Sequence, residues 1–208
     1  MRHDLRLAGD IYGLRPVELD DAEFIVALRT SDPERVRYLH PIPPDPEQQR
    51  RWLRSYFEHQ NDYYFVVENR DNRDRHGLVG IYNIDPILRA GEWGRWILRA
   101  GSFAAVESAL LVYRVAFEYL QLRSIYCITV ADNLPVVSFH DSCGLARAAF
   151  LPRHFELAGV TYDGVKQVCN AENWPIVRSR LEVQTERIAR RLNRGVTSLA
   201  KRGAESKK

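Results

Sequence analysis

Apolar and polar positions change period several times along the chain, and each change marks an element. Residues 12–17 have strand character, and Asp20, Asp21 and Glu23 stand just before Phe24, Ile25, Ala27 and Leu28. That order reads as a first helix with acids in its opening turn, where the helix dipole favours them. Pro41, Pro43, Pro44 and Pro46 break the chain, after which Trp52, Tyr56 and Phe57 recur at helical spacing over 47–59. Residues 63–68, 78–84 and 92–98 are β-branched and aromatic, and polar stretches at 69–76 and 86–91 separate them. Three consecutive antiparallel strands follow from that pattern.

From Phe103 the period lengthens. Phe103, Val106, Leu110, Tyr113, Phe117 and Leu120 are spaced three and four apart, a long helix with one wide apolar face. Residues 124–130 are nearly all apolar, which predicts a strand buried on both faces. Asp132 or Asn133 can cap a further helix, Pro135 suits its first turn, and Gly144 can stop it. Residues 150–169 read as a closing hairpin turning at 157–159. A last helix over 173–194 carries Trp174, Val177, Leu181, Ile188 and Leu192 as one stripe, with Arg187, Arg190, Arg191 and Arg194 as its solvated side. The expectation is a mixed α/β domain over 1–172, an amphipathic helix over 173–194 and a flexible basic tail over 195–208.

Composition narrows the function classes. At 208 residues with 45% hydrophobic and 27% charged positions, the chain has the balance of a packed domain. No apolar run is long enough to cross a membrane. Cys127, Cys143 and Cys169 are odd in number and unpatterned, which argues against a disulfide framework or a Cys-rich metal site and fits a reducing cytoplasm. The net charge is +3, but five Lys/Arg against one Glu lie in 194–208. The rest of the chain is slightly acidic, so a nucleic-acid partner is not indicated.

Two junctions carry chemistry. In the first, the strand Glu92-Trp93-Gly94-Arg95-Trp96-Ile97-Leu98 runs through Arg99-Ala100-Gly101-Ser102-Phe103-Ala104 straight into the long helix. A tight loop of small residues at a helix start gathers backbone N–H groups that can bind a phosphate, although a Gly-Ser pair can also simply turn the chain. In the second, strand 124–130 leads to Asn133, Val136, Phe139, His140, Gly144 and Leu145. Here the sequence resembles the GNAT superfamily of acyl-CoA-dependent N-acetyltransferases. Their cofactor half is a strand, a loop of the form Q/R-x-x-G-x-G/A, a helix, a strand, and a helix of the form N-x-x-A-x-x-L/F-Y-x-x-x-G-F. The element order matches over about residues 11–169. Ser102 stands where the family usually has its first loop glycine, and a one-residue shift aligns Gly101 instead.

The resemblance implies a mostly antiparallel sheet with one splayed strand pair, helices on both faces, and acetyl-CoA as cofactor. It implies that backbone groups of Ile97, Leu98 and Arg99 pair with the pantetheine arm and that Gly101, Ser102, Phe103 and Ala104 face the pyrophosphate. It adds Asn133 and Phe139 as cofactor contacts, with Asn133 equally readable as a plain cap. His140 occupies the place of the family's Tyr, which protonates the departing thiolate. An imidazole can also donate a proton, and a structural helical histidine is the alternative. Glu92, Asp85 and His76 are candidate bases, with Glu92 readable also as a sheet-edge charge. Cys127 and Cys143 read as small core residues.

The acceptor side falls to the first half of the chain: loops 32–38 and 40–44, Trp52 and Tyr63, with Tyr38, His40, Tyr64, Tyr82 and Asn83 as substrate contacts. Aromatic faces beside planar hydrogen-bonding groups suit sugars and uridine-like rings, and equally an ordinary core. The first half is similar to bacterial enzymes that acetylate nucleotide-linked amino sugars for surface glycans, and also to ribosomal-protein N-terminal acetyltransferases. The amino group of a nucleotide-linked amino sugar is the preferred acceptor, and a homodimer is compatible. A non-catalytic acyl-CoA-binding module and an RNA-associated factor acting through the tail are the readings from other classes.

Overall fold

A single mixed sheet of eight strands, in the order β1-β2-β3-β4-β5-β6-β8-β7, organises the chain. The structure, a computed structural model, describes the backbone of residues 1–205 and the side chains of residues 1–192. The strands are β1 (Leu7–Ala8), β2 (Tyr12–Pro16), β3 (Tyr63–Asn69), β4 (Arg75–Asp85), β5 (Ala90–Leu98), β6 (Ser124–Val130), β7 (Ala146–Leu157) and β8 (Val160–Asn170). Every neighbouring pair is antiparallel except β5 and β6, which run parallel.

Alternation along β3 and β4 divides the core in two. Tyr64, Val66 and Leu78 meet Ile25, Leu28, Leu53 and Tyr56 from α1 (Ala22–Thr30) and α3 (Pro46–Glu58), with the short α2 (Pro33–Val36) between those helices. Phe65, Val67, Val79 and Ile81 meet α4 (Ala105–Arg114) on the opposite face, where Trp174, Val177 and Leu181 of α6 (Trp174–Glu205) complete the layer. Helices thus cover both faces, while α5 (Leu134–Cys143) sits beside β8 and α6.

Several local expectations need correction. Helix α4 is buried nearly all round rather than along one stripe, because the sheet covers one side and α6 the other. It ends in a wide turn over Val115–Tyr119, where the Leu120 N–H donates to the Val115 carbonyl at 2.9 Å, and Phe103 lies outside it, exposed. Strand β6 is not buried on both faces. Ile125 and Cys127 are covered, whereas Tyr126 and Ile128 are half-open, with the Lys166 ammonium 3.9 Å from the Tyr126 ring. Asp21 is more than a dipole acid: it accepts two Arg15 hydrogen bonds at 2.7 Å and the Glu18 N–H at 2.8 Å while 2% exposed. Burial raises its proton affinity, and these bonds more than offset that, holding the carboxyl below its usual value.

The closing hairpin turns at Ala158 and Gly159, both at positive φ, and α5 stops at Gly144 as expected. The last helix continues to Glu205 rather than ending at Arg194. Trp174, Val177 and Leu181 are buried, whereas Ile188 and Leu192 are only half-covered, and Arg187, Arg190 and Arg191 are exposed. The side chain of Arg194 and residues 206–208 of the expected tail lie outside the described residues. Among the described residues no helix is long and apolar enough to cross a membrane.

Candidate active site

Strands β5 and β6 pair only at Ala90–Ser124, Gly91–Ile125 and Glu92–Tyr126. Beyond that point they part, and a cavity of about 750 Å³ opens between them and under the loop joining α1 to α3. Its walls include Trp93, Gly94, Arg95 and Trp96 from β5, Cys127 to Val130 from β6, and Asn133 at the cap of α5 with Val136 and His140 along that helix.

A bulge in β5 shapes this wall. Leu78 faces Ile97 while Gly80 faces Gly94, so β5 carries one extra residue, and Arg95 takes it up at φ 50°. Simple alternation would put Trp93, Arg95 and Ile97 on one side. Instead Trp93 enters the α4 core, Ile97 the α1/α3 core, and Arg95 turns toward the cavity. Asp62 receives Arg95 through two bonds of 2.7 and 2.8 Å, and the rings of Tyr82 and Tyr64 lie 4.5 and 5.4 Å from its guanidinium carbon. At Gly94 a Cβ would lie 2.5 Å from the Tyr82 hydroxyl, so a larger residue would displace that ring from its place beside Glu92.

Of the expected catalytic residues, Glu92 lies well inside the sheet and lines the cavity, accepting from the Tyr82 hydroxyl at 3.2 Å and the Asn83 amide at 3.0 Å. His140 also lines it, 2% exposed, with its ring 5.1 Å from Trp93 and its Nδ1 without a partner among the described residues. Burial pushes its pKa down to about 4, so the ring is neutral at ordinary pH. The two other base candidates are engaged elsewhere. His76 is bonded to Ser102 at 2.9 Å and Arg99 at 2.7 Å and packs on Tyr12, and Asp85 caps the β4–β5 turn through the amides of Ile87 and Leu88. Burial also pushes the Cys127 and Cys143 thiols up, to about 12 and 11, which leaves them inert as nucleophiles.

Burial of His140 has a consequence for acid stability. The unfolded chain takes up a proton at this side chain near pH 6.5, whereas the folded chain resists it until about pH 4. His3 behaves alike, held by burial at about 4. The unfolded state therefore binds more protons in this window, and stability falls as pH drops from about 6.5 to about 4. Thermal unfolding followed across that range should show the fall, and His140→Gln should flatten it.

All five expected acceptor contacts, Tyr38, His40, Tyr64, Tyr82 and Asn83, line the same cavity, as does Trp52. Tyr63 does not. Its side chain points to the opposite face, 5.1 Å from the His3 ring. The loop over residues 31–45 bridges the cleft: Arg35 donates to the Leu98 carbonyl at 2.6 Å, and the Tyr38 hydroxyl to the Asp132 carbonyl at 3.3 Å. Arg29, Gln48 and Gln49 line the cavity too. Periodicity does not mark these residues, nor Arg95 on β5 or Asp62 before β3, because isolated polar residues carry no spacing signal.

The residues expected to hold a cofactor continue from β5 past the cavity. Gly101 stands at φ 73° with nothing within 4 Å of the position a Cβ would take. The Ser102 hydroxyl accepts the Ala104 N–H at 3.2 Å, which fixes the loop at the head of α4. Asn133 occupies the cap position of α5 without a side-chain cap bond, so its amide is free to face the cavity it lines. Phe139 packs on Trp96, ring centres 5.3 Å apart. An unpaired strand edge, an open left-handed loop and a helix start make a cradle suited to a long thread with an anionic end.

A family model described as an acetyltransferase (GNAT) domain matches residues 12–146. Among solved structures, FdhC, described as a nucleotide-linked sugar GNAT, is 27% identical with a TM-score of 0.69, covering 90% of this chain and 98% of its own. A candidate acetyltransferase from T. thermophilus is 24% identical with a TM-score of 0.74, covering 88% and 98%. A point mutant of the spermidine N-acetyltransferase SpeG from Vibrio cholerae is 20% identical with a TM-score of 0.69, covering 78% and 95%. The last two likenesses speak for the fold alone. No curated protein matches the chain by sequence.

Proposed function

The chain belongs to the GNAT acetyltransferases, and from that premise we propose that it acetylates a primary amine on a nucleotide-linked amino sugar, of the kind built into surface glycans. The observation that carries this reading is the parting of β5 from β6, which opens one cavity lined by both Glu92 and His140. Acetyl-CoA, when bound, supplies the acetyl thioester. The edge of β5 at Ile97 and Leu98 would hold its arm, although the Arg99 N–H is bonded to the His76 carbonyl and the Leu98 carbonyl to Arg35. The Gly101–Ala104 loop would hold its pyrophosphate, with the Ser102 and Ala104 N–H groups already engaged within the loop, and Asn133 and Phe139 would flank it.

The chain's own groups then divide the work. Glu92, steadied by Tyr82 and Asn83, draws the acceptor ammonium and takes its proton, so that the free amine can attack. Backbone N–H groups of β5 toward Leu98 face the place where negative charge develops on oxygen. His140 is neutral, so it offers a ring N–H to the leaving sulfur as a hydrogen-bond donor rather than as an imidazolium.

Support for the acceptor comes from the aromatic faces of Tyr38, Trp52, Tyr64 and Tyr82, the amides of Asn83, Gln48 and Gln49 and the likeness to FdhC. The test is mass detection of product from acetyl-CoA with UDP- and dTDP-linked amino sugars beside a peptide N-terminus. Peptide acetylation with no sugar product would reject the assignment. In the active assay, His140→Ala is expected to lower kcat by about tenfold, the worth of one hydrogen bond, while the CoA Kd stays unchanged. An unaltered rate would remove His140 from the chemistry.

A further inference from the structure

The charges around the cavity sum to zero but are not all paired: Glu92 is answered only by neutral donors, and one cation stands without a carboxylate. Arg95 is matched by Asp62, and Glu92 is held by Tyr82 and Asn83. Arg29, in the last turn of α1, lines the acceptor half of the same cavity with no carboxylate partner among the described residues. Its Nη2 donates to the His40 carbonyl, and its Nε is buried with no hydrogen-bond partner among those residues. Around it stand Tyr64, His40, Gln49 and Trp52, none of them an anion at neutral pH. Burial holds its pKa below the usual arginine value, the Tyr64 side chain beside it opposes that shift, and the nearby Arg95 charge adds to it.

A half-buried guanidinium left with an unused N–H is costly unless something completes it. A carbonyl oxygen satisfies one donor and none of the charge. The guanidinium fork matches a phosphate or carboxylate, and it repels a cation. We propose that Arg29 is the specificity residue of the acceptor site: it grips the anionic end of the acceptor, the diphosphate of a nucleotide-linked sugar, and thereby rejects polyamines. This rests on the acetyltransfer reading above and adds the charge sign of the substrate. Selection works by both attraction and repulsion, since a polycation entering the acceptor half would meet the Arg29 charge with no carboxylate beside it.

The test separates this assignment from acetyl transfer itself. UDP and dTDP are titrated into the protein by calorimetry with CoA present, so that the phosphate loop is already filled. Both should bind to the wild type, and Arg29→Met should weaken them by roughly tenfold to a hundredfold, the range for one charged hydrogen-bonding group. CoA affinity should hold, and Arg29→Lys, which keeps the charge but not the fork, should recover part of the loss. In turnover, a dTDP-linked amino sugar should exceed the methyl glycoside of the same sugar and spermidine in kcat/KM. Arg29→Met should raise KM for the nucleotide sugar while changing kcat little. If Arg29→Met binds the nucleoside diphosphates as the wild type does, or spermidine is the better acceptor, the assignment is wrong. Failure to bind CoA would instead sink the acetyltransfer reading, and the UDP and dTDP titrations would still decide the role of Arg29.

Discussion

Glu92→Gln should lower kcat with the preferred acceptor by about a hundredfold or more, the usual contribution of a positioned proton acceptor. The amide is close to isosteric and can still accept from the Tyr82 hydroxyl, which lies 3.2 Å from the carboxylate in the native chain. Fold and CoA affinity should therefore be retained, and the loss should fall on chemistry. The acidic limb of the kcat/KM profile should change with it, because an amine that finds no acceptor must shed its proton to solvent. Asp85 and His76, the other candidate bases, are both committed to other partners and do not compensate. Activity within threefold of wild type would show that the proton leaves through water alone.

Asp62→Ala should cost about 3 kcal/mol, the lower part of the range for breaking a buried pair from one side. For a chain of this length that is roughly 6–12 °C in Tm. The Asp62 side chain is 12% exposed and that of Arg95 27%, so solvent can repair only part of the loss. Burial opposes the Arg95 charge, and the Asp62 bonds more than restore it. Removing Asp62 leaves the guanidinium among Tyr64, Tyr82 and Trp52 without its counter-charge. The combined Asp62→Ala, Arg95→Met protein should be more stable than the sum of the single changes implies, since no orphaned charge remains. Additive losses measured by denaturant unfolding would show that the pair carries little coupling energy and that the residues act through packing alone.

These two expectations differ in how they could be reached. Glu92 could be picked from the sequence as one of three candidate bases, because it stands early in a strand that leads into a small-residue loop and a long helix. Asp62 has no such marker. It lies at the mouth of β3, and its importance depends on a bulge in another strand that carries Arg95 into the cavity at positive φ. A non-glycine residue in that region is strained by itself, and the Asp62 bonds and the aromatic stack are what hold it there. Hydrophobic alternation reads β5 as unbroken and so assigns Arg95 to the wrong neighbours.

The segments of the chain whose structure depends on near neighbours were legible from the residues alone. The helical period at the head of α4, the turn at Ala158–Gly159, the stop at Gly144 and the spacing of Asn133, Phe139 and His140 are local; the sheet class and the parting of two strands came from the family resemblance that those motifs carry. Tertiary packing decided the rest. Burial turned His140 into a neutral group with a pKa of about 4, the second helix layer buried α4 on all sides, and the approach of α1 to the cavity left Arg29 with a carbonyl instead of a carboxylate. Charge balance and dielectric are properties of what surrounds a side chain in space, and residues distant along the chain supply those surroundings only once it has folded.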